Sequence, residues 1–313
     1  MKRKGFTLVE LLVVIAIIAL LMGILMPALA RVRQLAFRMT CGTNLSGIGK
    51  AMLIYANDYE DELPRAGGRG TTWGAMPAAG WRTADRRGAF GLATDGSGGM
   101  ATISSCFYLL IKYSEVTPKS FICKGDAGTT EFKLSDRTDV PTNFELIDAW
   151  DFGPPDESFK HCSYTYHVPF GLYALTTSNE PGFAVAADRS PWINSPAATV
   201  NATNFTAFRP DVAFTGGTAG TSDQAKLGNA IAHQNDGQNV LFLDSHVEFA
   251  KRAYCSIEDD NIYTVSRDTA GKGDILGTMP VAGATCTPMN RKDSLLVHDP
   301  DTWGGGGTTT KKR

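Results

Sequence analysis

Apolar or small residues run without a break from Leu11 to Met26, and no charged residue occurs between Leu11 and Ala30. A helix over that stretch is about 30 Å long, the thickness of bilayer hydrocarbon. Beyond Pro27 the pattern becomes periodic. Leu45, Ile48, Met52, Tyr55 and Tyr59 recur every three or four positions and draw one apolar stripe. Together the two stretches predict a single helix from about Phe6 to Tyr59. Its first half lies in lipid or among other helices, and its second half packs on a body. Pro27 removes a backbone hydrogen bond, which predicts a kink or a loosened turn. Gly42, Gly47 and Gly49 each cost about 1 kcal/mol relative to alanine, which predicts an uneven second half. Pro64 is a natural stop.

The remaining chain alternates between loop-like and strand-like composition. Residues 65–99 are rich in Gly, Ala and Thr and carry Trp73, Trp81, Arg82, Arg86 and Arg87. They predict a long irregular excursion whose aromatics pin it to its own domain. "ISSCFYLLIKYSEV" predicts a second, short helix, and "SFICKGD" a strand running into a turn. "CSYTYHV" and "FAVAADRSPW" have the β-branched and aromatic bias of strands. In "GQNVLFLDSHVEFAKR", Val240 and Phe242 alternate with Leu241 and Leu243, and after Asp244-Ser245 the alternation resumes through Phe249. That pattern predicts a hairpin over a two-residue turn, with Ser245 standing where positive φ would suit glycine. The fold class is therefore α+β: a long N-terminal hydrophobic helix packed on a C-terminal antiparallel sheet body with long loops.

Glu10 stands at the threshold of the apolar run, behind Lys2, Arg3 and Lys4. A cleaved signal peptide would explain the basic start and the "ALA" at residues 28–30, but the run is longer than usual and Glu10 interrupts it. A plain anchor leaves Glu10 without a role. An ionisable group in a membrane segment needs a partner, since a central acid costs about 2.5–3.5 kcal/mol. A cut between Gly5 and Phe6 would supply one. The cations would leave, the net charge would go from -2 to -5, and the new amino group of Phe6 would sit one helical turn from Glu10. Paired within or between subunits, the two charges would neutralise each other, and a pair between subunits would set axial stagger.

"KGFTLVELLVVIAIIALL" closely resembles the class III signal of type IV pilins and type II secretion pseudopilins. The resemblance implies that a prepilin peptidase cuts after Gly5 and methylates Phe6, and that Glu10 is the assembly glutamate. It also implies a single-pass inner-membrane subunit with its C-terminal body periplasmic or extracellular. Its partners would be other pilin or pseudopilin subunits, the peptidase, an inner-membrane platform and an assembly ATPase. The chain then divides into a leader (1–5), a membrane or filament-core half-helix (6–30), an amphipathic half-helix (31–63), a globular body (64–303) and a flexible tail (304–313). "CGTNLSGIGKAMLIYANDYEDELP" resembles a wider pseudopilin-like group in which a Cys-x-x-Asn-Leu helix ends in an acidic turn before proline. Near the C-terminus, His233, Asp244 and Ser245 resemble the H-x9-DG motif of such proteins. Here ten residues separate His233 from Asp244, and Ser245 replaces the glycine. The motif brings no catalytic mechanism with it.

Composition adds limits rather than chemistry. The chain is 43% apolar and 20% charged with a net charge of -2, so no basic excess points to nucleic acid. Cys41, Cys106, Cys123, Cys162, Cys255 and Cys286 form no C-x-x-C pair. Disulfides are plausible outside the cytoplasm and allow 15 full pairings; buried free thiols are the alternative. His233 and His246, with Asp236 and Asp244, could be imagined as a metal cluster around the hairpin, although each has a simple structural role. His161 and His167 are expected to face a sheet surface. Calcium is the better metal candidate, with Glu258, Asp259, Asp260 and Asn261 offering oxygens, but without EF-hand spacing. No nucleophile–base motif or phosphate loop appears, so the expectation is a non-enzymatic subunit with no cofactor, calcium apart. The alternative is a membrane-anchored extracytoplasmic module binding calcium or glycans through the Trp/Arg-rich loop.

Overall fold

Thr7 opens the dominant element with a reciprocal cap. Its hydroxyl accepts from the Glu10 amide, and the Glu10 side chain accepts from the Thr7 amide. From there helix α1 runs over Leu8–Asp58, uninterrupted through Pro27. It ends where Glu60 and Asp61 take positive φ. The computed structural model describes residues 7–200 and 202–303, so Gly5, Phe6 and the 304–313 tail lie outside the described residues.

The two halves of α1 differ as the hydropathy pattern predicts. Every large apolar side chain from Leu8 to Leu29 is exposed, whereas Cys41, Leu45, Ile48, Met52 and Tyr55 are buried. Tyr59, at the end of the stripe, is 39% exposed and stacks on Tyr55 with ring centroids 4.2 Å apart. The glycines have a use instead of fraying the helix. A Cβ at Gly49 would stand 2.6 Å from Leu241 Cδ1, and one at Gly42 would stand 3.1 Å from Asn239 Oδ1. Both glycines let the sheet approach the helix backbone.

After α1 the chain enters the irregular excursion. Strand β1 (Thr72–Trp73), helix α2 (Arg86–Phe90) and strand β2 (Met100–Ala101) punctuate it, and β1 pairs in parallel with β2. Trp73 and Trp81 are fully buried, so the loop is pinned as expected and offers neither ring to a ligand. Helix α3 (Ile103–Ser114) follows, with its Thr102 hydroxyl accepting from Ser105 N. The segment expected to be a strand, "SFICKGD", differs: a 3-10 turn covers Pro118–Phe121 and no ladder follows. Its carbonyls go elsewhere. Phe121 O accepts from Ser163 N, and Ile122 O accepts from the Asn44 side chain of α1. That leaves no row of free groups for a strand partner.

The main sheet comprises β3 (Tyr164–His167), β4 (Ala184–Asp188), β5 (Gln238–Phe242), β6 (Val247–Ala250) and β7 (Leu296–Val297). Its order is β6-β5-β4-β3-β7, with every pair antiparallel. Short helices α4 (Ala202–Ala207) and α5 (Ser222–Lys226) lie in the connection before β5. The sheet is covered on both faces. Leu241, Leu243 and Val297 join the core shared with α1 and α3, while Val240, Phe242 and Leu296 join a second cluster with Trp192, Phe208 and Tyr263. This explains why β5 is buried at every position: Val240, Leu241 and Phe242 meet apolar neighbours on both faces, while Gln238 and Asn239 are hydrogen-bonded.

The hairpin is present, with a correction to its turn. Phe242 N donates to His246 O and Ser245 N donates to Phe242 O, so three residues, not two, form the loop. Ser245 sits at φ 70, the left-handed position that closes such a loop and favours glycine.

Candidate functional site

Two regions carry the residues singled out in the sequence: the exposed half of α1, and the place where its second half meets the sheet. In the first, Glu10 is exposed one turn into the helix. Its Oε2 accepts from Thr7 N at 2.9 Å and from Thr7 Oγ1 at 2.7 Å. The carboxylate thus already serves the chain that carries it, by occupying an amide that helix geometry leaves unpaired. Sequence reasoning weighed Glu10 only as an assembly contact. The Thr-x-x-Glu spacing that announces the cap was there to be read.

At the junction, the Cys-x-x-Asn-Leu segment acquires a physical account. Cys41 forms a disulfide with Cys123, and Leu45 is fully buried. Asn44 Nδ2 donates to Ile122 O at 3.1 Å and to the Tyr164 hydroxyl at 3.2 Å. One turn earlier, Arg38 pairs with Asp236 at 2.5 Å and lies over the Phe249 ring, 4.6 Å from its centroid. Cys106, Cys162, Cys255 and Cys286 are free thiols, so both expectations for cysteine apply to different members of the set.

The C-terminal motif splits between two places. His233 is fully buried, with Nε2 3.0 Å from Asp188 Oδ2 and 4.0 Å from Cys123 Sγ. Asn239 donates to the same Asp188 oxygen through its backbone (2.6 Å) and its side chain (3.0 Å). Asp244 and Ser245 lie instead at the hairpin tip, where Asp244 Oδ1 accepts from His246 N and engages the His246 ring. The imagined cluster of His233, His246, Asp236 and Asp244 is therefore not assembled, because Asp236 is held by Arg38 and Asp244 by His246. The side chains that do converge are Cys41, Cys123, Asp188 and His233, whose ligand atoms all lie within 4.8 Å of one another. Asp188 was missed in the sequence; an acid ending the apolar strand "FAVAAD" was its one signal.

The calcium candidates point to separate partners. Glu258 pairs with Lys292, and Asp259 is exposed. Asp260 is buried and accepts from Asp274 N and Ser294 N, while Asn261 bonds Tyr263 N and Ile275 O. Burial, and next the neighbouring Asp293, pushes the Asp260 carboxyl well above the usual range. His167 packs edge-on to Phe183 with Nε2 at 3.2 Å from Tyr173 O, and burial lowers it to about 4. His161 is held by Thr130 O at 2.8 Å.

What decides the N-terminal half is a comparison with known families. Residues 1–26 match the prokaryotic N-terminal methylation motif. The chain carries a prepilin-type signal. This motif, with the long apolar helix behind it, is consistent with a pilin-like or pseudopilin-like protein. It implies processing by a prepilin peptidase and assembly with other pilin subunits. Pilin-like proteins of this kind are usually structural. Among the described residues α1 is the helix long and apolar enough to cross a membrane, and the prepilin-type segment fits a single-pass anchor. No curated protein and no solved structure matches the chain.

Proposed function

We propose that the chain is a non-enzymatic pseudopilin-like structural subunit of a type II secretion or type IV pilus-like filament. Prepilin peptidase cuts between Gly5 and Phe6 and methylates Phe6. An inner-membrane platform and its ATPase then drive α1 out of the bilayer into a helical stack. The observation that carries this reading is the coincidence of the methylation motif with an apolar half-helix that the body leaves entirely bare. A bare stretch of that kind needs lipid or neighbouring helices around it. The Cys41–Cys123 disulfide supports a body on the oxidising, outer face of the inner membrane.

Glu10 has two roles under this reading: it caps its own helix and it meets the Phe6 ammonium of a subunit. Glu10→Gln separates them, since glutamine serves the same capping box but carries no charge. Membrane insertion should survive in the variant while cross-linked filament incorporation collapses. Normal assembly of Glu10→Gln would refute the charge pairing. Mass spectrometry of the mature N-terminus tests the processing itself. A methylated Phe6 is expected; a start at Arg31 would mean ordinary secretion, and an intact Met1 a plain anchor.

A further inference from the structure

The cluster beneath α1 brings together side chains from four separate parts of the chain. Cys41 lies on α1, Cys123 follows the 3-10 turn after α3, Asp188 ends β4, and His233 precedes β5. All four are at most 1% exposed. Two of their polar atoms, Asp188 Oδ1 and His233 Nδ1, are buried with no protein partner. A buried carboxylate is costly unless cationic groups surround it, and Asp188 is fully buried.

We propose that Cys41, Cys123, Asp188 and His233 form a redox-gated site for a borderline-soft divalent cation of the zinc class, which replaces the disulfide when that bond is opened. Two sulfurs, an imidazole nitrogen and a carboxylate oxygen are a tetrahedral zinc donor set. Zinc–ligand bonds of roughly 2.0–2.3 Å separate tetrahedral ligand atoms by about 3.3–3.8 Å. Here the His233–Asp188 separation is 3.0 Å and the Cys123–His233 separation 4.0 Å, both close to that range. All four ligand atoms lie within 4.8 Å of one another, so completing the shell requires the two sulfurs, once unbonded, to part by roughly 1.5 Å and the widest pair to close by up to about 1 Å. Asn239, donating twice to Asp188 Oδ2 and lying 3.3 Å from His233 Nε2 through its side chain, would help hold both groups in place.

The exchange balances with a small dithiol as reductant. Its two electrons break the Cys41–Cys123 bond, it leaves as its own disulfide, and its two protons end on the two sulfurs. The cation then displaces both protons to solvent and binds two thiolates, one carboxylate and neutral His233. The disulfide ties α1 to the segment after the 3-10 turn, and the cation would tie both of these to β4 at the same place. The site does not depend on the filament reading, and its test involves no assembly.

The test uses the full chain in detergent micelles, reduced with a dithiol or left oxidised, then dialysed with one equivalent of Co²⁺ or Zn²⁺. The reduced chain should show the thiolate-to-cobalt charge-transfer band and intense tetrahedral visible bands, retain about one zinc per chain, and melt at a higher temperature with zinc than without. The oxidised chain should show neither band, although its other four thiols remain free. His233→Gln should weaken zinc by about 100-fold or more, beyond the 10–100-fold loss usual for an outer-shell partner. The proposal is overturned if the reduced wild-type chain gives no charge-transfer band, if the oxidised chain gives the same one, or if zinc leaves the melting of the reduced chain unchanged. Because those readouts use the unmutated chain, they stand even if His233→Gln does not fold.

Discussion

Replacing Gly49 by alanine, beside the same change at Gly47, tests whether the sheet sits on α1 as closely as the geometry requires. Both positions are helix interior, so alanine gains roughly 0.8–1.0 kcal/mol of helix propensity at each. At Gly47 a new methyl meets nothing within 4 Å, and the whole gain should appear as stability. At Gly49 the same methyl would stand 2.6 Å from Leu241 Cδ1, 3.2 Å from Cδ2 and 3.5 Å from Cγ. Leu241 is 1% exposed and has little room to turn away. Overpacking of this kind costs about 1–3 kcal/mol, leaving a net loss of about 0–2 kcal/mol. The two variants should therefore differ by about 1–3 kcal/mol. Urea unfolding of the full chain in detergent, followed by tryptophan fluorescence, reads the difference well, since all five tryptophans lie beyond α1. Leu241→Val in the Gly49→Ala background should recover part of the loss, a coupling that a double-mutant cycle isolates. Equal shifts of the same sign at the two glycines would refute the close approach.

Two further outcomes follow from the sheet and the buried acids. Ser245→Gly should stabilise the body by about 0.5–1 kcal/mol in thermal melts, because it relieves about 1–2 kcal/mol of left-handed strain against a smaller entropy cost. It also removes a buried hydroxyl that has no partner; a lower melting temperature would contradict this. Burial, and next the Asp299 charge, pushes the Asp151 carboxyl up to about 8, whereas unfolded aspartates titrate near about 3.9. The fold thus holds the extra proton. That contribution is complete below about pH 4 and is lost as pH rises through about 8, at up to about 1.4 kcal/mol per pH unit. His167, lowered to about 4, and His298, lowered to about 3, push the other way only below about pH 6.5. The melting temperature should fall between pH 6.5 and 8.5, and Asp151→Asn should flatten the slope; a rise over that window in the unmutated chain would refute it.

Much of the scaffold could be read from periodicity. The helix expected over 6–59 is found over Leu8–Asp58, and the second helix and the strands around Tyr164, Ala184 and Val240 stand where composition put them. These are elements whose own side chains state their period. The hairpin loop was one residue short because the closing pair Phe242/His246 depends on which amide finds which carbonyl, and hydrophobic alternation is silent on that. "SFICKGD" misled for a related reason: its residues suit a strand, but Asn44 and Ser163, far away in sequence, take the carbonyls a neighbour would need. The four-residue cluster at the junction was hidden for the same cause. Its members are spread from residue 41 to residue 233, and only folding brings them to one point. The prepilin-type signal over residues 1–26, by contrast, was legible because it is a linear motif.

The ties between α1 and the body begin at Arg38, eight residues past Ala30, where the uncharged stretch ends. At 1.5 Å per residue that leaves a neck of about 12 Å, and the headgroup layer on one side of a bilayer is about 5–7 Å deep. With the apolar run seated in hydrocarbon, the body rides clear of the lipid surface by several ångströms. Under the filament reading proposed above, that neck is the stretch of stem on which neighbouring copies would meet.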